Sequence, residues 1–276
     1  MFEVKVVEDS LSPGGVRLTT LTLKYPRAIH AELMTHRMFS RNASSSRAIP
    51  VRKIRQDART GMMWPVWWGA NQPGMQARAE LTGWRLTASK LVWAMLGYVS
   101  IAGAWTLDKL GLHKQIANRV IEPFSHITVV LTGTEDAFGN FFNLRCHPDA
   151  QPEMHVLAER VYEALQASTP KKLYDGDWHL PFVSAEERQK HTVDKLLRLS
   201  VARCARVSYL NHDGSNPDPG KDVKLHDDLL KAPHISPFEH QATPSVNSEK
   251  ASGNLTGWIQ YRKTFPNEYR PVYERK

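Results

Sequence analysis

Between Thr35 and Pro50 the chain reads THRMFSRNASSSRAIP, which gathers His36, three arginines, Asn42 and a run of serines into a stretch of little bulk. Guanidinium groups and hydroxyls grip phosphate oxygens through charge-assisted hydrogen bonds, and a Ser/Asn loop leaves backbone amides free to join them. The stretch is a candidate anion site. Each residue alone also has a plainer account. His36 and Arg37 are cations where a helix ends, a placement that the helix dipole favours without any ligand. Ser45 beside His36 has the makings of a nucleophile, but a serine among serines more commonly hydrogen-bonds than attacks. Further on, DAFGNFFNLR sets Phe138, Phe141, Phe142 and Arg145 at helical spacing, so an aromatic face ends in one arginine that either stacks on a ring or meets a ligand. His234 and His240 in HISPFEH have no third ligand at a recognisable spacing, and no metal site is expected.

The elements that position these groups can be read from periodicity. FEVKVV and LTLKY alternate apolar and polar residues around the turn DSLSPGG, which predicts paired strands at the start. PRAIHAELMTHRM, with Pro26 at its head and Ile29 and Leu33 four apart, predicts a helix that carries His36 and Arg37 at its C-terminal end. A polar loop over 40–50 follows, then a helical region over 75–118 broken near GLHK. Its apolar run LVWAMLGYVSIAGAW, 91–105, is shorter than the roughly 20 residues of a membrane span and reads as a buried helix. HITVVLTGT alternates as a strand. DAQPEMHVLAERVYEALQAS reads as a helix capped by Asp149, with Pro152 in its first turn. LNHDGSNPDPGKD, 210–222, is a loop and the best hinge candidate.

Composition bounds the partners. With 276 residues and 41% hydrophobic content the chain can bury a core. A formal charge of +8 asks for an anionic partner, but there is no zinc-finger or aromatic RNA-binding pattern, so small phosphates are favoured over nucleic acid. Cys146 and Cys204 form neither a disulfide framework nor a paired-thiol site, which fits a reducing, cytoplasmic setting. MFEVKVVEDS does not resemble a signal peptide, and no membrane partner is expected.

Taken together, the motifs resemble those of the flavin-dependent thymidylate synthases. THRMFSRNASSSR is similar to that family's Arg-His-Arg signature, with His36, Arg37, Asn42, Ser45 and Arg47 in register. RVIEP, GNFFNLRCHPDAQPE, RCARVSY and HISPFEH resemble four further family blocks. The resemblance implies an α+β fold, a mixed sheet with flanking helices, and a homotetramer with shared active sites. It implies synthesis of dTMP from dUMP, with methylenetetrahydrofolate and NADPH as co-substrates and FAD as cofactor. Carried over, it assigns His36, Arg37, Asn140, Ser208, Ser236 and Glu239 to the flavin, and Glu32, Ser45, Arg47 and Arg119 to the nucleotide phosphate. Arg145 falls against the pyrimidine and His234 at the mouth of the site.

Two features depart from the family. RCARVSY and HISPFEH follow the signature instead of preceding it, so the chain looks circularly permuted, and GWIQYRKTFPNEYR resembles a degenerate second copy of the signature region. The expected organisation is one domain over 1–276: strands and signature loop at 1–50, a helical region at 51–118, the nucleotide and flavin helices at 119–170, and the permuted segment at 199–276. Thr35, Ala43, Glu32 and Asp149 stand where the family has Arg, Glu, Gln and His. Arg262 and Glu268 of the second copy are candidates to restore the lost groups. Two alternatives stay open: a related flavin- and folate-dependent methylase or hydroxymethylase acting on dCMP or dUMP, and an inactive nucleotide- or nucleic-acid-binding relative.

Overall fold

Alternation governs the sheet. β1 (Glu3–Leu11) and β2 (Arg17–Pro26) pair antiparallel, with a bulge between Val6 and Glu8, as the sequence predicts. The computed structural model describes residues 1–207, 215–232, 234–247, 249–266 and 268. In chain order, β2 leads to α1 (His30–Leu33), β3 (Ser40–Ala43), α2 (Val51–Thr60), α3 (Gly83–Lys109) and α4 (Lys114–Ala117). Next come β4 (His126–Thr134), α5 (Glu135–Arg145), α6 (Pro152–Gln166) and β5 (Lys171–Lys172). The remainder is α7 (Ala185–Lys190), α8 (Val193–Ala205), α9 (Pro219–Lys231), β6 (Ala242–Pro244), β7 (Ala251–Ser252), β8 (Leu255–Thr256) and β9 (Trp258–Gln260). The main sheet has the order β3-β4-β2-β1-β5 and is mixed, because β5 runs parallel to β1 while the other pairs are antiparallel.

Successive strand residues point to opposite faces. Leu21, Leu23 and Tyr25 of β2 and Ile127, Val129 and Leu131 of β4 share one face, where Phe138 and Phe141 of α5 and Met154, Leu157 and Val161 of α6 cover them. On the other face Val130 meets Cys204 of α8. That face also carries a chain of buried polar groups: Ser10 Oγ to His179 Nδ1 at 2.8 Å, His179 Nε2 to Thr20 Oγ1 at 2.8 Å, Thr20 to Thr132 at 2.6 Å, and Thr132 to His240 Nδ1 at 2.8 Å. Buried polar atoms need such partners, and only one register supplies them all, so the network pins the late segment of the chain onto the sheet.

Three sequence expectations need correction. Ser40–Ala43 is not loop but an edge strand on β4, with Asn42 opposite Val130, because the free edge of β4 offers its backbone groups a ladder. Residues 75–82 are not helical. Gly74, at φ +99°, turns the chain into a hairpin in which Gly69 bridges Glu80, and the helix starts only at Gly83. The apolar run 91–105 is a helix but not a buried one. Gly97, Ile101 and Ala104 are buried, whereas Leu91 is 67% exposed, Tyr98 59% and Val99 61%. Ile101 and Ala104 pack with Val51 and Ile54 of α2 and with Ile121, and by length and composition alone α3 would suffice to cross a membrane. Of the hinge candidate, residues 210–214 lie outside the described residues, and Pro219–Asp222 opens α9.

Candidate functional site

α5 descends from the end of β4, packs Phe138 and Phe141 on the sheet and ends at Arg145, a cation in the last turn where the helix dipole favours it. The other half comes from the turn after α1. Phe39 anchors that turn: a Cβ on Gly133 would lie 2.6 Å from the Phe39 ring, so glycine alone lets the ring lie on β4. Arg41 Nη1 donates to the carbonyls of Met34 and His36, both at 2.9 Å, and braces the turn. His36 is thereby set edge-on to Phe141, with centroids 5.0 Å apart and planes at 83°.

Arg145 is held from two sides. Its Nε donates to His36 Nε2 at 2.8 Å, and its Nη1 forms an ion pair with the Glu32 carboxylate. As the acceptor, His36 Nε2 carries no proton. His36 is 6% exposed, and burial together with the Arg145 and Arg41 charges pushes it down to about 4, so it is a neutral imidazole. His155 Nδ1 lies 3.2 Å from the Arg145 carbonyl.

Glu32 and Arg145 open on a cavity of about 1430 Å³, lined also by the start of α6 and by the hairpin. The hairpin is rigidly built. Ala70 N–H donates to Ala79 O at 2.7 Å, Leu81 N–H to Trp68 O at 2.8 Å, and Trp67 Nε1 to Ala77 O at 3.1 Å. At its base the Val66 N–H donates to the buried Glu153 carboxylate at 2.9 Å, and Gln76 Nε2 reaches the Asp149 carbonyl at 3.1 Å. Periodicity missed Trp67, Arg78 and Glu153 as cavity residues. The signal was present in NQPG, whose Pro-Gly pair marks a turn between WW and QARAEL.

The other expected residues that are described lie outside this cavity. Ser45 and Arg47 are exposed on the loop after β3, where the Arg47 N–H donates to Ser45 Oγ at 3.3 Å. Ser46 Oγ donates to Glu122 at 2.6 Å, and Glu122 pairs with Arg119 at 3.1 Å. This group does not line the cavity of Arg145. The remaining expected residues do not line that cavity either. Arg37 and Asn140 are exposed, His234 and Ser236 are exposed, and Glu239 pairs with Arg262. Arg262 also pairs with Glu268 at 3.1 Å and does not enter the cavity. Ser208 lies outside the described residues. His240 is fully buried on Thr132 and so is parted in role from the exposed His234. Burial pushes the Cys204 thiol up, and desolvation with the nearby Glu159 carboxylate does the same to Cys146, so neither is disposed to be a thiolate nucleophile.

The family model for the thymidylate synthase complementing protein matches residues 15–171, more than half of the chain and the whole of the Glu32, His36 and Arg145 constellation. The chain belongs to the thymidylate synthase complementing protein family. Among solved structures, it is similar to the UMP/dUMP methylase PolB from Streptomyces cacaoi bound with 5-Br dUMP, at 18% identity over 60% of this chain and 90% of that one, with a TM-score of 0.48. It is also similar to the flavin-dependent thymidylate synthase ThyX from Helicobacter pylori complexed with FAD and dUMP, at 16% identity over 54% of this chain and 67% of that one, with a TM-score of 0.40. No curated protein matches the sequence. Within the family match, the mixed sheet carries the signature on β3 and the turn before it, and the arginine helix on the strand beside it.

Proposed function

We propose that this protein is a flavin-dependent thymidylate synthase that converts dUMP to dTMP, taking a methylene from methylenetetrahydrofolate and reducing equivalents from NADPH through FAD. The observation that carries this reading is the Arg145 fork, gripped by His36 and Glu32 at the wall of a cavity within the family match. A guanidinium fixed in this way needs no reorganisation to stabilise negative charge that develops on a pyrimidine ring. Arg37, Asn140 and Ser236 offer exposed side chains that suit an anionic, hydrogen-bonding cofactor in kind. When bound, FAD supplies the hydride that reduces the transferred carbon. His36 keeps Arg145 aimed, and the aromatic packing of Phe39, Phe138 and Phe141 keeps the two elements in register. The raised thiols of both cysteines agree with a route that uses no cysteine nucleophile.

The reading includes a homotetramer with shared active sites, which is supported by the absence of Ser45, Arg47 and Arg119 from the lining of the Arg145 cavity within one chain. The exposed apolar flank of α3 is the surface that such an assembly would cover. The permuted order is supported by packing: α8 and the turn Ser236–Glu239, which carry the displaced blocks, lie against the sheet beside β3 and β4, through Cys204 on Val130 and His240 on Thr132.

Glu32 keeps a second substrate in view, because a carboxylate accepts a hydrogen bond from an exocyclic amine such as that of dCMP. Retention of FAD tests the cofactor part. Protein reconstituted with excess FAD should carry visible flavin absorbance through gel filtration. A colourless protein with no measurable FAD affinity would overturn the enzyme reading.

A further inference from the structure

The cavity is larger than the 300–1,000 Å³ usual for one small ligand, and its charges are poorly suited to a phosphate as they stand. At about 1430 Å³ it is lined by Glu32, Asp149 and Glu153 against Arg78 and Arg145. Arg145 already has its Nη1 engaged by Glu32 and its Nε by His36, and Glu153 is 5% exposed, its carboxylate occupied by the Val66 N–H and Gln151 Nε2. Arg78 alone among the described cavity residues is a cation with no ion pair. Nor is it on a loose tail: Ala77 before it accepts from Trp67 Nε1, and Ala79 after it accepts from the Ala70 N–H. The close approach of Gly69, where a Cβ would sit 2.1 Å from Ala77 Cβ, locks the same turn.

We propose that Arg78 binds the phosphate of the nucleotide whose base meets Arg145, and so makes the hairpin a specificity element of the site. The proposal rests on the nucleotide reading above and deepens it. Arg78 is the in-chain half of a phosphate site that the Ser45, Arg47 and Arg119 group of a second copy completes. Arg78 is the arginine of the lining that no carboxylate engages among the described residues, and so the group within one chain that is left to attract a phosphate dianion.

Calorimetric titration of the FAD-reconstituted protein with dUMP and with deoxyuridine separates this role from the others. Arg78→Ala should weaken dUMP by on the order of tenfold or more, the usual effect of losing a charge-assisted contact, and leave deoxyuridine affinity unchanged. Arg78→Lys should recover part of the loss, because a point charge still attracts phosphate without the planar fork. Wild-type affinity for dUMP in Arg78→Ala would overturn the proposal, as would equal losses for dUMP and deoxyuridine, which would mean that Arg78 only shapes the hairpin. Failure of the wild-type protein to bind either ligand would instead refute the nucleotide reading itself, and this proposal with it.

Discussion

Arg145 and His36 are 109 positions apart in the chain, yet Arg145 Nε donates to His36 Nε2 across 2.8 Å, with the imidazole lodged against Phe141. The helix that ends in Arg145 and the turn that follows α1 are thus joined at the atom where a cation must be aimed. Losing Arg145 should therefore show first in nucleotide binding and chemistry. Arg145→Ala is expected to weaken nucleotide binding by about 1.5 to 3 kcal/mol and to slow single-turnover flavin oxidation, with the melting temperature and flavin retention little changed. Arg145→Lys should not recover it, because an ammonium cannot serve His36 and Glu32 from fixed prongs. Wild-type affinity and rate in Arg145→Ala would remove the assignment.

Stability should fall on mild acidification. His36 and His126 are pushed down to about 4 and His240 to about 3, in each case chiefly by burial. Their unfolded counterparts titrate near 6.5. Between these limits the unfolded chain binds more protons than the folded one, so stability present above pH 6.5 is lost as the pH falls towards 4. Glu8 works in the opposite sense. Burial raises it to about 7, so its burial is less costly as the pH drops from 7 towards 4.5, but it is one group against three. Urea midpoints measured at pH 7 and pH 5 should show the lower value at pH 5, and equal midpoints would contradict the neutral buried histidines.

The sequence made the scaffold of the site legible and hid its enclosure. Alternation in β1, β2 and β4 and the aromatic spacing of α5 report packing between near neighbours, and each is found where expected. The meeting of Arg145 with Glu32 and His36 follows from no local pattern, because Arg145 is 113 and 109 positions from its two partners. Met75–Leu81 carries good helix formers, but Gly74 at φ +99° prevails over them and turns the chain into the hairpin. Apolar residues on all sides of α3 state that it will be covered but not by what.

Assembly should depend on that helix. Val99 sits on the exposed flank of α3, so if the proposed homotetramer forms there, Val99→Glu should leave the fold intact, break the assembly and abolish turnover. Light scattering of wild type and variant at micromolar concentration decides this. Full activity in a monomeric species would contradict the shared site.

The most direct measurement of the central claim is product analysis. Reconstituted protein is incubated with FAD, NADPH and methylenetetrahydrofolate, with dUMP and dCMP in parallel, and the nucleotides are resolved by mass. Conversion of dUMP to dTMP that depends on the reductant and is lost in Arg145→Ala is expected. Unchanged dUMP in a protein that holds flavin, or methylation that survives without Arg145, would contradict it.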